Sequence, residues 1–307
     1  MKVIFDSDLL GDDFFALDAL VDNEDIELLA VCSFGRITTA LNRARMVQEF
    51  LEKKGKKGIA IVPGADRPLL QTPSKGCMYC NNELMCLLNG WSAEKKYSNP
   101  IIEDLSAAEY IASVLRKETD VTILSTGPMT NVALALSIAP DIAGNISNFV
   151  TMAGVHFLQG NKSPVSESNI FNDVDAAKIV LRSLKNVTMV PLDVTLKFCV
   201  SSDEVEELDS KFFRDVSLAC CKSHLDRGDK SIMPMHDYLA YLALIDSDVL
   251  TYKRCEVDVD NSGNRTRGML LFKWCEDGPV KYAVDLDLKK CTEHYRKDFL
   301  EKKHERI

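Results

Sequence analysis

The fold is decided by the stretch Val3-Ile4-Phe5-Asp6-Ser7-Asp8-Leu9-Leu10-Gly11-Asp12-Asp13. Its apolar start is typical of a buried strand, and an apolar helix pattern over 14–20 follows the aspartates at once. Open α/β sheets bind their ligands where a strand ends and a helix begins. Four carboxylates this close repel one another unless a cation neutralises them, and a hard divalent cation binds oxygen ligands. Helix capping would explain one aspartate, but not Asp6 and Asp8 at the strand end. The stretch therefore predicts an α/β enzyme.

Strand and helix patterns continue to alternate along the chain. The predicted strands are 2–5, 27–33, 58–62, 121–124, 149–152 and 187–191, and the predicted helices are 13–21, 39–53, 107–116, 131–138 and 175–184. This alternation predicts a mostly parallel, twisted central sheet flanked by helices, a Rossmann-like open sheet. After residue 201 the chain is more charged and helical up to 245, and two strand patterns follow at 256–259 and 268–273. We therefore expect a single domain over residues 1–307 with a C-terminal helical and β elaboration.

Bulk composition limits the function classes. The chain has 307 residues, 46% of them hydrophobic, and a net charge of −9, which disfavours nucleic acid and anionic membranes as partners. No apolar run approaches the roughly 18 residues that span a bilayer. Because the sequence opens on a core-strand pattern, we expect no signal peptide and a cytoplasmic protein with reduced thiols. The cluster Cys77, Cys80 and Cys86 lacks a fourth ligand at zinc spacing, so its role stays open.

Three further polar segments follow predicted strands or open predicted helices. In the run 124–131 a strand ends, a Gly-Pro turn follows and a helix begins, although ordinary turn chemistry would give the same pattern. Gly160-Asn161 with Glu167-Ser168-Asn169 could bracket vicinal hydroxyls, but a solvated loop has a similar composition. His236-Asp237 is either a helix cap with a surface histidine, or a proton donor beside a fifth carboxylate.

Taken together, these segments resemble the inosine-uridine nucleoside N-ribohydrolase family. The family's first motif is DTDxGxDD; in Asp6-Ser7-Asp8-Leu9-Leu10-Gly11-Asp12-Asp13 the acids keep their spacing, and the glycine lies one place later. Further matches run in family order from end to end: Gly64-Ala65-Asp66-Arg67-Pro68-Leu69, Thr126-Gly127-Pro128-Met129-Thr130-Asn131, Gly160-Asn161, Glu167-Ser168-Asn169, Pro191-Leu192-Asp193-Val194-Thr195, His236-Asp237 and Thr266-Arg267-Gly268.

The resemblance implies calcium-dependent hydrolysis of the N-glycosidic bond of ribonucleosides, which releases free base and ribose in nucleoside salvage. The implied calcium ligands are Asp8, Asp13, Asp237 and the main-chain carbonyl of Thr126, with Asp6 in a supporting position. The residues implied to hold the ribose hydroxyls are Asp12, Asn161, Glu167 and Asn169. Asp8 would also take a proton from the attacking water, and His236 would protonate the leaving base. A homodimer or homotetramer is the usual assembly of the family.

The chain departs from the family around the predicted base pocket. Arg36 stands where the family commonly has asparagine, and the loop 72–82 lacks the family's usual histidine. We predict substrate contacts for Arg36, for Tyr79 in that loop and for His156 near the ribose loop; a plain surface loop and a structural histidine are the alternatives. These departures make a second function possible, hydrolysis of a modified nucleoside such as a 7-deazaguanine (queuosine-type) nucleoside. A non-catalytic nucleoside- or ribose-binding protein is disfavoured because Asp8 is present.

Overall fold

One large sheet organises the part of the chain that the computed structural model describes, residues 1–36, 38–70, 99–208, 210–225 and 230–301. The strands of this part are β1 Lys2–Ser7, β2 Glu27–Ser33, β3 Ala60–Pro63, β4 Val121–Ser125, β5 Ile146–Met152, β6 Val187–Val190, β7 Cys199–Ser201, β8 Ile232–Pro234, β9 Leu250–Val259, β10 Leu270–Trp274 and β11 Val280–Leu286. Nine of them pair in the order β10-β9-β11-β6-β5-β4-β1-β2-β3, and β7 and β8 form a separate antiparallel pair.

The sheet is mostly parallel, as predicted. Strands β1 to β6 pair parallel with one another and β11 pairs parallel with β6, and only the pairings β11–β9 and β9–β10 among those of this sheet are antiparallel. Each face of the sheet carries its own apolar core: Val3 and Phe5 of β1 belong to one core, and Ile4 between them belongs to the other. This alternation places β1 in the middle of the fold, because strands covered on both faces read as continuous apolar runs.

Helices cover both faces. In the described residues they are α1 Asp13–Asp22, α2 Ala40–Lys53, α3 Ala107–Lys117, α4 Thr130–Ile138, α5 Ser168–Asn172, α6 Val174–Ser183, α7 Leu192–Thr195, α8 Ser202–Val205, α9 Lys211–Leu225, α10 His236–Ile245 and α11 Leu288–Tyr295, with a 3₁₀ turn at Pro140–Asn145 and a π turn at Arg296–Leu300. Several begin on side-chain caps that the sequence supplies: Thr39 caps α2, and Ser106 with Glu109 forms a capping box at α3. None of these helices combines the length and apolar character that crossing a bilayer requires.

The C-terminal part differs in detail from the expectation. The strands β9 and β10 pair antiparallel across the predicted turn, as expected, but β11 inserts between β9 and β6. The predicted elaboration is therefore an extension of the central sheet. The region expected to be helical up to 245 is interrupted by the short strand β8, which pairs with β7. Strands of three residues carry no detectable alternation, so periodicity alone misses them.

Candidate active site

A cavity opens at the carboxyl edge of the sheet, beside the ends of β1, β4 and β5. Ten residues predicted from sequence to form the site line it: Asp8, Asp12, Asp13, Arg36, Thr126, Asn161, Glu167, Asn169, His236 and Asp237. They come from segments up to 229 residues apart in sequence: the parallel strands β1, β4 and β5 lead to this edge, and α10 carries His236 and Asp237. Of the predicted site residues that the structure describes, counting the supporting Asp6, all but two lie together here.

The turn between β1 and α1 aims the aspartates. Leu9 and Gly11 both adopt the left-handed region, with φ of 50° and 60°. Glycine takes such angles without the Cβ clash. In this chain the glycine of the turn is Gly11, one place later than in the family motif. Asp13 is held from three sides: the Ser7 hydroxyl donates to its Oδ1 at 2.5 Å, the Thr126 hydroxyl to Oδ1 at 2.6 Å, and the Leu10 amide to Oδ2 at 2.6 Å.

Three carboxylates converge in this cavity. Oxygen atoms of Asp12, Asp13 and Asp237 lie within 4.8 Å of one another, with Asp13 and Asp237 buried. Asp237 arrives on α10, and its amide donates to Asp12 Oδ2 at 3.3 Å. Burial and then the mutual repulsion of the carboxylates raise the pKa of Asp13 and of Asp237 well above the usual range, and burial raises the pKa of Asp12 to about 7. Oxygen donors whose ionised forms repel one another fit a hard cation such as calcium.

Asp8 lies in the cavity but outside that group of three. Its Oδ2 accepts a hydrogen bond from Arg36 Nη1 at 2.7 Å, so the carboxylate has a positive partner. The carbonyl of Thr126, a further predicted calcium ligand, accepts from Asn169 Nδ2 at 2.9 Å. A carbonyl oxygen has two lone pairs, so this contact leaves acceptor capacity for a cation.

Three of the four predicted ribose-binding residues, Asn161, Glu167 and Asn169, lie together around α5. Glu167 caps this helix: its Oε1 accepts from the Asn169 amide at 2.6 Å and its Oε2 from the Ile170 amide at 3.2 Å. Burial raises the pKa of Glu167 to about 7. Asn161 Oδ1 accepts from the Ser168 amide at 2.9 Å. These bonds give the polar side chains fixed positions along one wall of the cavity.

His236 is the first residue of α10, and its side chain lines the cavity. Its Nδ1 lies 2.7 Å from the hydroxyl of the buried Thr195, so this contact orients the imidazole ring. Which of the two atoms donates depends on the tautomer of the ring. The ring is therefore held from its Nδ1 side in a side chain that lines the cavity, which is the place that a proton donor to the substrate requires.

Two of the predicted residues that the structure describes lie outside the cavity lining, and one predicted residue lies outside the described part of the chain. Asp6 is buried outside the cavity lining, where its Oδ1 accepts from Asn131 Nδ2 at 2.8 Å, and burial raises its pKa to about 7. His156 packs in an aromatic cluster, with ring centroids 4.3 Å from Phe272 and 5.7 Å from Trp274, and it is not among the described residues that line the cavity. Tyr79 lies outside the described residues, as do Cys77, Cys80 and Cys86.

Comparison with known proteins decides the family. The family model described as inosine-uridine preferring nucleoside hydrolase matches residues 3–293. The chain belongs to this family.

Relatives in the family are similar over nearly their whole length. An inosine-uridine preferring nucleoside hydrolase of Crithidia fasciculata is 29% identical over 301 residues, which cover 94% of each chain. A probable uridine nucleosidase of Oryza sativa subsp. japonica is 27% identical over 291 residues, 91% of this chain and 88% of its own. Both confirm the family predicted from the motifs and the class of enzyme, a nucleoside N-ribohydrolase.

Solved structures agree on the fold. A plant nucleoside hydrolase superposes with a TM-score of 0.87 at 21% identity and covers 98% of this chain and 99% of its own. A purine-preferring ribonucleoside hydrolase from Gardnerella vaginalis gives 0.85 at 25% identity, with 97% and 98% coverage. The predicted α/β fold is thereby confirmed.

Sequence reasoning missed several residues that matter at this nucleoside hydrolase site. Ser7 and Ser168 stand inside the quoted motifs, but no role was predicted for their hydroxyls, which bind Asp13 and Arg36. Thr195, in the matching motif that begins at Pro191, was not linked to His236. The signal that could have found these three residues is their position within a matching motif. The apolar lining residues Leu10, Met152, Cys220, Met233 and Pro234 carry no such signal, because their patterns are those of ordinary core.

Proposed function

We propose that this protein hydrolyses the N-glycosidic bond of ribonucleosides with calcium as its metal, releasing free base and ribose for salvage. The observation that carries the proposal is the convergence of Asp12, Asp13 and Asp237 beside Asp8, at the carboxyl edge of the sheet. Family membership supplies the class of reaction. The geometry supplies a site of oxygen ligands in the place where the fold binds ligands.

Asp13, Asp237, the Thr126 carbonyl and Asp8 would hold the calcium ion. Three of them are side chains that line the cavity, and donors from Ser7 and Thr126 already fix the carboxylate of Asp13. When bound, the ion supplies positive charge that holds and acidifies water.

The chain's own residues then divide the remaining work. Asp8 takes a proton from the attacking water as general base. Asp12, Asn161, Glu167 and Asn169 hold the ribose hydroxyls, and the carboxylates around the ring favour the positive charge that the sugar develops. The support for these roles is that all five side chains line one cavity, and that bonds within the α5 wall fix the position of Glu167.

His236 protonates the departing base, which is otherwise a poor leaving anion. The contact between its Nδ1 and Thr195 orients the ring toward the cavity, which favours proton donation from the other edge. Thr195 is therefore a positioning residue for His236.

For the preferred base we propose two classes of nucleoside, in order of preference. The relatives bear names such as uridine nucleosidase, inosine-uridine preferring and purine-preferring, so an ordinary purine or pyrimidine is the first choice. A modified nucleoside such as a queuosine-type 7-deazaguanine nucleoside is the second, because Arg36 is an unusual residue in the cavity wall. Contacts from Tyr79 and His156 belong to the same proposal, although the packing of His156 gives it no support.

A cytoplasmic, single-domain homodimer or homotetramer completes the proposal. The seven cysteines of the described residues are all free thiols, which suits a reducing compartment.

A substrate panel read by reducing-sugar release tests the proposal. We expect ribose release from at least one ribonucleoside, little from its 2′-deoxy counterpart, and a loss of roughly 10²- to 10⁴-fold in Asp8→Ala, because general-base catalysis is worth that much. Asp104→Ala, at an exposed position, is the matched control and keeps full activity. Retained turnover in Asp8→Ala would overturn the role of this aspartate, and a panel without any ribose release would overturn the function.

A further inference from the structure

Arg36 bridges two walls of the cavity. Its Nη1 donates to Asp8 Oδ2 at 2.7 Å, and its Nη2 donates to the Ser168 hydroxyl at 2.5 Å. The side chain of Arg36 is 9% exposed and that of Asp8 is 3% exposed. A guanidinium that donates from two nitrogens to two different partners is geometrically specific, and the buried ion pair with Asp8 places a permanent positive charge inside the acidic site.

The backbone that carries Arg36 is fixed by close packing. The Gly35 amide donates to the Ala65 carbonyl at 2.9 Å, and a Cβ at Gly35 would meet Asp66 Oδ1 at 2.4 Å. Only glycine therefore fits at this close approach. The backbone beside Arg36 is thus held in place shortly after the end of β2, and the two hydrogen bonds of the guanidinium hold the side chain.

The carboxylate of Asp8 would have two positive partners, Arg36 and a bound cation. The three carboxylates already grouped to hold a cation are Asp12, Asp13 and Asp237, while Asp8 faces the guanidinium. If Asp8 also binds the metal, one carboxylate serves both a cation and Arg36. Two positive charges that share a buried carboxylate repel each other, more strongly than in water because the surrounding dielectric is low.

We propose that Arg36 is a positioning residue that holds Asp8 ready in the metal-free protein and thereby weakens the site's affinity for divalent cations. The inference rests on the proposed function, since it takes Asp8 as a ligand and base. In the metal-free protein, the positive charge of Arg36 neutralises part of the negative charge of the cavity, as a bound metal ion would. The metal-free protein is stabilised by the ion pair, and cation binding works against the guanidinium.

Calorimetric titration with calcium alone tests this, together with melting temperature in a chelator. Arg36→Gln removes the charge, so we expect calcium to bind about tenfold more tightly or better. Arg36→Lys keeps the charge, so calcium affinity stays within about threefold of wild type, while the lost fork misplaces Asp8 and lowers kcat. In the presence of a chelator, we expect Arg36→Gln to have a lower melting temperature than wild type. Saturating calcium should reduce this difference in melting temperature.

Arg116→Gln is the matched control. Arg116 forms an exposed ion pair with Asp141 at 3.0 Å, outside the cavity lining, and its removal leaves calcium affinity unchanged. If wild type binds calcium and releases ribose while Arg36→Gln binds calcium equally or more weakly, the Arg36 proposal alone is overturned. If wild type neither binds calcium nor releases ribose, the proposed function is overturned as well, and this inference with it.

Discussion

At the scale of single residues, the site concentrates negative charge that the protein alone neutralises only in part. Arg36 faces Asp8, and hydroxyl and amide donors serve Asp13, but Asp12, Asp13 and Asp237 remain close together. Burial raises the pKa of Asp12 and Glu167 to about 7, from the ordinary values of 3.8 and 4.5. A carboxyl that resists ionisation in the folded state makes stability and metal binding depend on pH.

The first prediction concerns that pH dependence. Between about pH 4 and pH 7 the unfolded chain releases protons that the folded chain retains, so these two groups lower the stability of the metal-free protein as the pH rises. Calcium needs ionised ligands, so the rise in melting temperature that it causes grows from pH 5 to pH 8. Thermal melts with calcium and with chelator measure this rise. Asp13→Asn should abolish it at every pH, and an equal rise at pH 5 and pH 8 in wild type would contradict the account.

At the scale of elements, short segments at helix ends place in the cavity the side chains that do not follow a strand of the central sheet. The helix α10 begins at His236 and places Asp237 against Asp12, which comes 225 residues earlier. The short helix α7 ends at Thr195, whose hydroxyl meets the imidazole of His236. His236, the proposed leaving-group acid, is thus oriented by a neighbouring element as well as by its own helix.

A second prediction follows for Thr195. Thr195→Val keeps the shape of a fully buried side chain but removes the hydroxyl that orients His236, so kcat should fall about tenfold with little change in KM. Steady-state kinetics measure the change. Thr151→Val is the matched control, because Thr151 is equally buried and its Oγ1 has no hydrogen-bond partner among the described residues. Equal losses in the two variants would show that the hydroxyl of Thr195 has no specific role.

At the scale of the whole molecule, the parallel sheet explains why distant motifs form one site. The carboxyl ends of β1, β4 and β5 lie at one edge, so the segments that follow Phe5, Leu124 and Thr151 meet there. The convergence of the motifs at Asp6, Thr126 and Glu167 could be predicted from sequence, since each comes after a strand pattern, whereas His236-Asp237 opens a helix. The carboxylate spacing in Asp6 to Asp13 and the order of the later motifs were sufficient for the family and for most of the cavity lining.

What could not be predicted depends on contacts between elements. Nothing in the sequence pairs Arg36 with Asp8, or Thr195 with His236, because hydrogen bonds between side chains distant in sequence have no local pattern. His156 lies close in sequence to the ribose loop, yet its ring packs against Phe272 of β10 in the extended sheet. The strand β11 was missed, and with it the surroundings of this histidine.

Nucleoside hydrolysis is tested most directly by the stoichiometry of products from inosine and uridine in phosphate-free buffer with calcium. We expect free base and free ribose in equal amounts, because in the proposed reaction water is the nucleophile and Asp8 the base. Removal of calcium by a chelator should stop the reaction, and its return should restore it. If neither nucleoside is cleaved, or if base release requires phosphate, the assignment of this acidic cavity to nucleoside hydrolysis is contradicted.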